Sequence, residues 1–284
     1  MRYVGTFLAT GLILTAGCQG PKRSAFAETP GALARILKQG VEAETRGDGL
    51  GAAAAYERAA REFADYATSW AHLGEHRRFW GRDPAAAEEA FRRAIDAPFI
   101  TEASIAYAWR GLGEVARGRG EVDRAIACFE KSLSIRPLVD AHRSLSALYA
   151  TERRDFERAA RHAQLAVALS PDDPIALIQL AVQMVRYGKK RDAEETFDKA
   201  IRLAECDELG RSAGLVHCCV LYNGACYHAV RGEKAKALAM LEEFFRTPNH
   251  RHITREEIVR DPDFESLAGD PDFTALLGYR LPEE

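Results

Sequence analysis

Several features that commonly announce chemistry are missing from this chain. Its 284 residues hold no Gly-x-Ser-x-Gly elbow and no pair of Cys-x-x-Cys motifs. Gly111-Leu-Gly113 and Gly118-Arg-Gly120 lack the lysine and the strand context of a phosphate loop. Excess charge is scarce too: 39 Lys and Arg stand against 42 Asp and Glu, a formal net charge of −3, with no basic stripe. That balance gives no case for nucleic acid as a partner. Long apolar runs are absent. Tyr3 to Ala16 is uncharged and mostly apolar, but it falls short of the ~20 residues that a membrane-spanning helix needs.

Metal chemistry has little support. His72 and His76 lie one helical turn apart with Glu75 between them, but the glutamate adjoins the second histidine and no third ligand is evident. His217, Cys218, Cys219, Cys226 and His228 crowd one segment. Adjacent helical residues point about 100° apart, so this group does not converge by itself. Asp261-Pro-Asp-Phe264 and Asp270-Pro-Asp-Phe273 lack the glycine and distal glutamate of a calcium loop. In each, the first Asp is expected to cap a helical turn that Pro opens, with Phe docking on the preceding repeat. No catalytic residue, cofactor or metal is therefore expected.

What the sequence does have is a period. Trp109, Leu112-Gly113, Gly120, Ala125, Phe129 and Pro137 are followed by Ala159, Ala166 and Pro171, and then by Leu180, Gly188, Ala193, Phe197 and Ala200. Ala125 to Ala159, Ala159 to Ala193 and Pro137 to Pro171 are each 34 residues. This pattern resembles the tetratricopeptide repeat, a helix–turn–helix unit. The resemblance implies an all-α fold, a right-handed α-solenoid of about six repeats with a C-terminal capping segment. Such units cannot bury their apolar faces alone, so they stack and present a concave surface. The repeats are placed at 33–66, 67–100, 106–139, 140–173, 174–207 and 218–251. One residue is added near Asp83-Pro84, and the fourth repeat lacks the first-helix signature. Glycines near the helix–helix turns (Gly47, Gly81, Gly120, Gly188, Gly232) are expected to supply left-handed backbone.

The N-terminus adds a second resemblance. Leu14-Thr15-Ala16-Gly17-Cys18 is similar to a bacterial lipobox, with Thr15 where leucine is usual and Leu14 one step earlier. It implies a signal peptide at 1–17 and a lipid on Cys18. Residues 18–32 then read as a tether, 33–251 as the solenoid and 252–284 as the cap. Of the remaining cysteines, Cys128, Cys206, Cys218, Cys219 and Cys226 are an odd number inside helical patterns, and are expected as buried free thiols.

In this family the first helix of each repeat lines the concave face. Its offsets select His72, Glu75, Arg78 and Phe79 in the second repeat, and Tyr107, Arg110, Glu114 and Arg117 in the third. They select Ile178, Gln179, Val182 and Arg186 in the fifth, and Tyr222 and Asn223 in the sixth. A lysine–asparagine clamp for a peptide carboxylate is not expected, because Ala71 with Glu75 and Arg110 with Glu114 occupy its positions. The expected function is that of a lipid-anchored bacterial envelope scaffold holding a protein or peptide partner. The competing expectations are a metal-dependent enzyme or accessory domain acting on envelope polymers, resting on His72, Glu75 and His76, and a soluble secreted binding module.

Overall fold

The computed structural model describes residues 30–205, 213–247 and 253–278. Cys18, Cys206, the signal peptide and nearly all of the tether lie outside them, as does the side chain of His217. Among the described residues the fold is all-α, with no strand beyond an isolated bridge between Tyr66 and Phe99. Six helix pairs succeed one another: α1 (Gly31–Thr45) with α2 (Gly49–Glu62), α3 (Ala67–Phe79) with α4 (Pro84–Asp96), and α5 (Glu102–Gly118) with α6 (Val122–Ile135). Then come α7 (Val139–Thr151) with α8 (Phe156–Leu169), α9 (Pro174–Arg186) with α10 (Lys190–Glu205), and α11 (Ala213–Val230) with α12 (Lys234–Arg246). A tail of α13 (Arg255–Arg260), a 3-10 helix (Pro262–Leu267) and α14 (Pro271–Leu277) follows. No described helix is long and apolar enough to cross a membrane.

Local chemistry explains the starts. Asp48, Asp83, Asp155 and Asp173 each cap a helix by accepting a backbone N–H two or three residues on, and Pro84 and Pro174 occupy first-turn positions where no donor is needed. Gly47, Gly120, Gly188 and Gly232 turn with φ between 73° and 78°. Gly81 does not. The added residue near Asp83 passes that role to Arg82 (φ 47°), and the glycine-free turn of the fourth repeat passes it to Arg154 (φ 51°). The fourth repeat forms its first helix without the signature because Leu145 and Leu148 bury, while Ser146 Oγ donates to Ala159 O on α8 at 2.9 Å. Helix α11 starts at Ala213, five residues before the expected start of its repeat.

Packing divides the chain between Ala108 and Trp109, inside α5. The N-terminal unit buries Leu33, Ile36, Leu37, Tyr56 and Leu73 among α1, α2 and α3. The join after α4 is tied down there, with Ala67 N donating to Phe99 O and Phe99 N donating to Asp65 O, both at 2.9 Å. The C-terminal unit has a smaller core from Ala116 to Ala159, and a larger one in which α9 to α12 enclose Ile258, Phe264, Leu267, Phe273 and Leu277 of the tail. Within both units a glycine of the first helix lies against an aromatic of the second: Gly74 on Phe91, and Gly113 on Phe129. Cys128, Cys218, Cys219 and Cys226 are free thiols, and three of them are buried.

Candidate functional site

The residues selected by repeat offset fall into two groups. In the N-terminal unit, His72 stacks on Tyr56 at 5.6 Å and lies 6.4 Å from the Tyr107 ring, and burial holds its imidazole below the usual range. Buried His76 packs on Tyr56 and places Nδ1 3.1 Å from Glu44 Oε1, while Tyr56 Oη donates to Glu44 Oε2 at 3.1 Å. The two histidines therefore serve one aromatic–carboxylate cluster. Glu75 and Arg78 pair with each other at 2.5 Å, and Phe79 meets Trp80 edge-on. Trp80 is 41% exposed, so this helix end presents an apolar edge beside an ion pair.

In the C-terminal unit the offsets sort less simply. Arg110 is buried at 6% exposure rather than open on the face. Arg117 pairs with Glu114 at 2.9 Å, and Glu114 also accepts from Ser144 Oγ at 2.5 Å. Ile178 is fully buried. Gln179 keeps Oε1 from solvent with no hydrogen-bond donor on it among the described residues. Asn223 donates to Cys219 O in its own helix at 2.7 Å.

Arg186 and Tyr222 do something the repeat register does not foresee. They hold the tail. Tyr222 Oη donates to Asp261 Oδ2 at 2.6 Å, and Arg186 Nη2 donates to Asp263 Oδ1. Arg186 is fixed by three further features: its Nη1 reaches Gln183 Oε1 at 2.9 Å, its guanidinium lies 4.3 Å over the Phe156 ring, and it is only 11% exposed. Arg154 Nη1 donates to Glu265 Oε2 at 3.2 Å, and Ser266 Oγ donates to Ala229 O at 3.3 Å. The tail thus docks beyond the last repeat, onto the first helices of the fourth, fifth and sixth. Burial pushes the Tyr222 hydroxyl well above its ordinary range, and the Asp261 carboxyl up to about 6.

Both Asp-Pro-Asp-Phe segments cap as expected. Asp261 accepts from Asp263 N at 2.9 Å, Asp270 accepts from Asp272 N at 3.0 Å, and Phe264 and Phe273 are buried. The second segment, however, meets Lys234 at the start of α12 rather than the first-helix face. Cys226, Asp261 and Asp263 are the one set of described side chains placed closely enough to share a cation, and the Arg186 guanidinium already occupies Asp263.

Sequence reasoning missed the tail contacts because they join residues 39 to 111 positions apart. The signal was the spacing of acids at 261, 263 and 265, opposite a hydroxyl on α11, a base at the end of α9 and a base in the turn after α7.

The tetratricopeptide-repeat family profile matches residues 81–140 and 120–174. No curated protein matches the chain. Among solved structures, PilW, described as a widely conserved type IV pilus biogenesis factor, is similar at TM-score 0.56 and 18% identity, over 79% of this chain and 99% of that one. A structure of Pseudomonas aeruginosa pilF gives 0.54 and 14%, over 78% and 96%, and human IFIT1 gives 0.52 and 15%, over 87% and 64%. At these identities the likeness concerns the fold. The profile shows tetratricopeptide repeats over residues 81–174, and the six helix pairs continue the same fold along the described residues.

Proposed function

We propose that this protein is a lipid-anchored scaffold of a bacterial envelope, tethered through Cys18 and recruiting a protein partner on the first-helix faces of its repeats. The repeat fold supports protein or peptide recognition, because stacked repeats present an extended surface lined by successive first helices. One observation carries the reading further. Residues 261–266 of the tail lie against α9 and α11, held there by Tyr222, Arg186 and Ala229, which supports recognition of a peptide segment on this face. The N-terminal unit offers Glu75, Arg78, Phe79 and exposed Trp80, an ion pair beside aromatic area, which suits an interface anchor.

The anchor rests on the Leu14–Cys18 pattern and the tether-like composition after it. A multiply acylated terminus holds a membrane far more firmly than one chain does. The test is to fractionate cells expressing the protein and its Cys18→Ser variant, then identify proteins recovered with each. Membrane partition lost in the variant, with one partner recovered from wild type, supports the scaffold reading. Unchanged partition of a processed variant removes the anchor. Recovery of no partner from solubilised envelope removes the scaffold.

A further inference from the structure

The acids of the tail run across the repeats in order. Asp261 meets Tyr222 of α11, Asp263 meets Arg186 at the end of α9, and Glu265 meets Arg154 in the turn after α7. Each step of two residues along the tail moves back one repeat. Phe264 turns inward between these acids, 1% exposed and 5.9 Å from the Tyr222 ring. A segment reading one acidic position per repeat, with an aromatic anchor, is bound as a ligand is bound.

Nothing in the segment itself fixes its conformation strongly. The helices of the tail have six, six and seven residues, below the length at which helices persist alone. A capping box, with Glu257 N donating to Thr254 Oγ1 at 3.2 Å and Thr254 N to Glu257 Oε2 at 2.7 Å, adds one local constraint. Asp261 adds another by accepting from Asp263 N at 2.9 Å, with Pro262 in the first turn, and the rest comes from the face beneath. Elements that depend on their docking site open at free energies below that of global unfolding.

We propose that the face of α7, α9 and α11 is a peptide-binding groove occupied in cis by residues 254–267, and that it takes in exchange a partner protein's segment with two carboxylates flanking a proline, followed by an aromatic and then a third carboxylate. This deepens the scaffold reading and rests on it. The chemistry is selective for physical reasons. Arg186 is held in place by Gln183 and the Phe156 ring, and an arginine so fixed reads a carboxylate at little further entropic cost. Tyr222 supplies a donor inside a buried site, so a segment lacking the first carboxylate leaves that hydroxyl unpaired. The chain contains its own control. Asp270-Pro-Asp-Phe273 has the same four residues, yet sits on Lys234 instead of in the groove. The selecting elements are therefore the groove residues and the acid at 265, which the second segment replaces with Thr274.

Occupancy in cis acts as a built-in competitor at an effective concentration in the millimolar range. An outside segment binds in proportion to the fraction of molecules whose own segment is open. The experiment therefore opens the tail without altering the groove. A fluorescein-labelled peptide with the sequence of residues 254–267 is titrated against the full chain and against its Asp263→Arg/Glu265→Arg variant. Binding at least tenfold tighter to the variant, and lost again on adding Arg186→Gln, supports the proposal. A labelled peptide of residues 266–277 should bind neither form.

Equal affinity of wild type and a helical, cooperatively melting variant for the 254–267 peptide overturns it, as does indifference to Arg186→Gln. Should the variant fold poorly, hydrogen exchange of the wild-type chain decides. Amides of 254–267 exchanging well before those of α9 and α11 support a displaceable occupant, whereas exchange only with global unfolding makes the tail a fixed cap. Failure on either count, with an envelope partner still recovered, removes this groove assignment and leaves the scaffold reading standing.

Discussion

Tyr222 and Asp261 are joined by a 2.6 Å hydrogen bond across 39 positions of sequence, from the first helix of the sixth repeat to the tail. Removing the donor leaves a carboxylate at a desolvated site with less compensation, which costs ~1–3 kcal/mol. Tyr222→Phe should therefore lower the urea midpoint and raise hydrogen exchange within 254–267 more than within α3 or α5. An unchanged midpoint and exchange pattern would mean that the bond carries little of the tail's docking.

The same carboxylate sets a pH dependence. Burial pushes Asp261 from an ordinary 3.8 up to about 6, against the opposing pull of the Tyr222 hydrogen bond and Arg186, with Glu152 adding to the rise. Between these two values the folded chain holds a proton that the unfolded chain has released. Stability from this group falls as pH rises from about 4 to 6 and is level above 7. Asp261→Asn keeps an acceptor for Tyr222. It should be more stable than wild type at pH 7.5, by about 1–3 kcal/mol, and nearly equal to it at pH 4. Melting the pair at both values checks the sign.

His142 and His162 carry the opposite sign. Their Nδ1 atoms are 2.9 Å apart, so one proton serves both, and His162 stacks on Tyr149. Burial, then His142, Arg161 and Arg158, push His162 down to about 4, and burial lowers His142 as well. The folded pair stays neutral while the unfolded chain takes up protons below 6.5, so this contribution is lost as pH falls from 6.5 towards 4. His162→Gln should make the melting temperature less sensitive between pH 7 and 5. A variant with an unaltered slope would place the sensitivity elsewhere.

Close helix approach predicts a contrast between two glycines. A Cβ on Gly113 would lie 2.7 Å from the ring of fully buried Phe129, whereas one on Gly224 would meet the terminal methyl of Met240 at 2.6 Å. Alanine favours a helix over glycine by ~1 kcal/mol at either site. The Phe129 ring has no room to yield, so Gly113→Ala should be destabilising by ~1–3 kcal/mol. Flexible Met240 can turn aside, so Gly224→Ala should be neutral within ~1 kcal/mol. Thermal melts of the two variants read the difference directly.

Charge reversal at Arg110 and at Arg117 should separate burial from exposure. Arg110 is 6% exposed, and exchanging a buried charge for its opposite costs ~3–5 kcal/mol. Arg117 is 47% exposed, but the Glu114 it pairs with is only 8% exposed, so Arg117→Glu sets a like charge against a buried carboxylate and should cost ~1–3 kcal/mol, less than reversal at Arg110. Urea unfolding of the single variants tests this. Comparable losses would contradict the burial of Arg110.

The sequence made the repeat phase readable because each unit is local. A 34-residue period, small residues at close approaches and Asp-Pro starts all act within one helix pair. Face assignment was less readable. Offsets locate Arg110 and Arg117 two turns apart on one helix, but the six-percent exposure of Arg110 depends on neighbours that no offset names. The tail was half-readable: caps and buried phenylalanines followed from Asp-Pro-Asp-Phe, whereas Arg186 and Asp263 meet across 77 positions. Arg82 shows the intermediate case, since one inserted residue near Asp83 moved the left-handed turn off Gly81.

Arg154 has a consequence for anyone regularising these repeats. A consensus built from the neighbouring turns would place glycine there, which relieves the left-handed backbone of a residue with a Cβ, worth up to ~1 kcal/mol. The exposed ion pair it gives up is worth about as little. A melting curve would score the change as harmless or better. Yet the arginine is where the fourth repeat reaches the tail, so the idealised array would have gained its regularity by erasing one point of address.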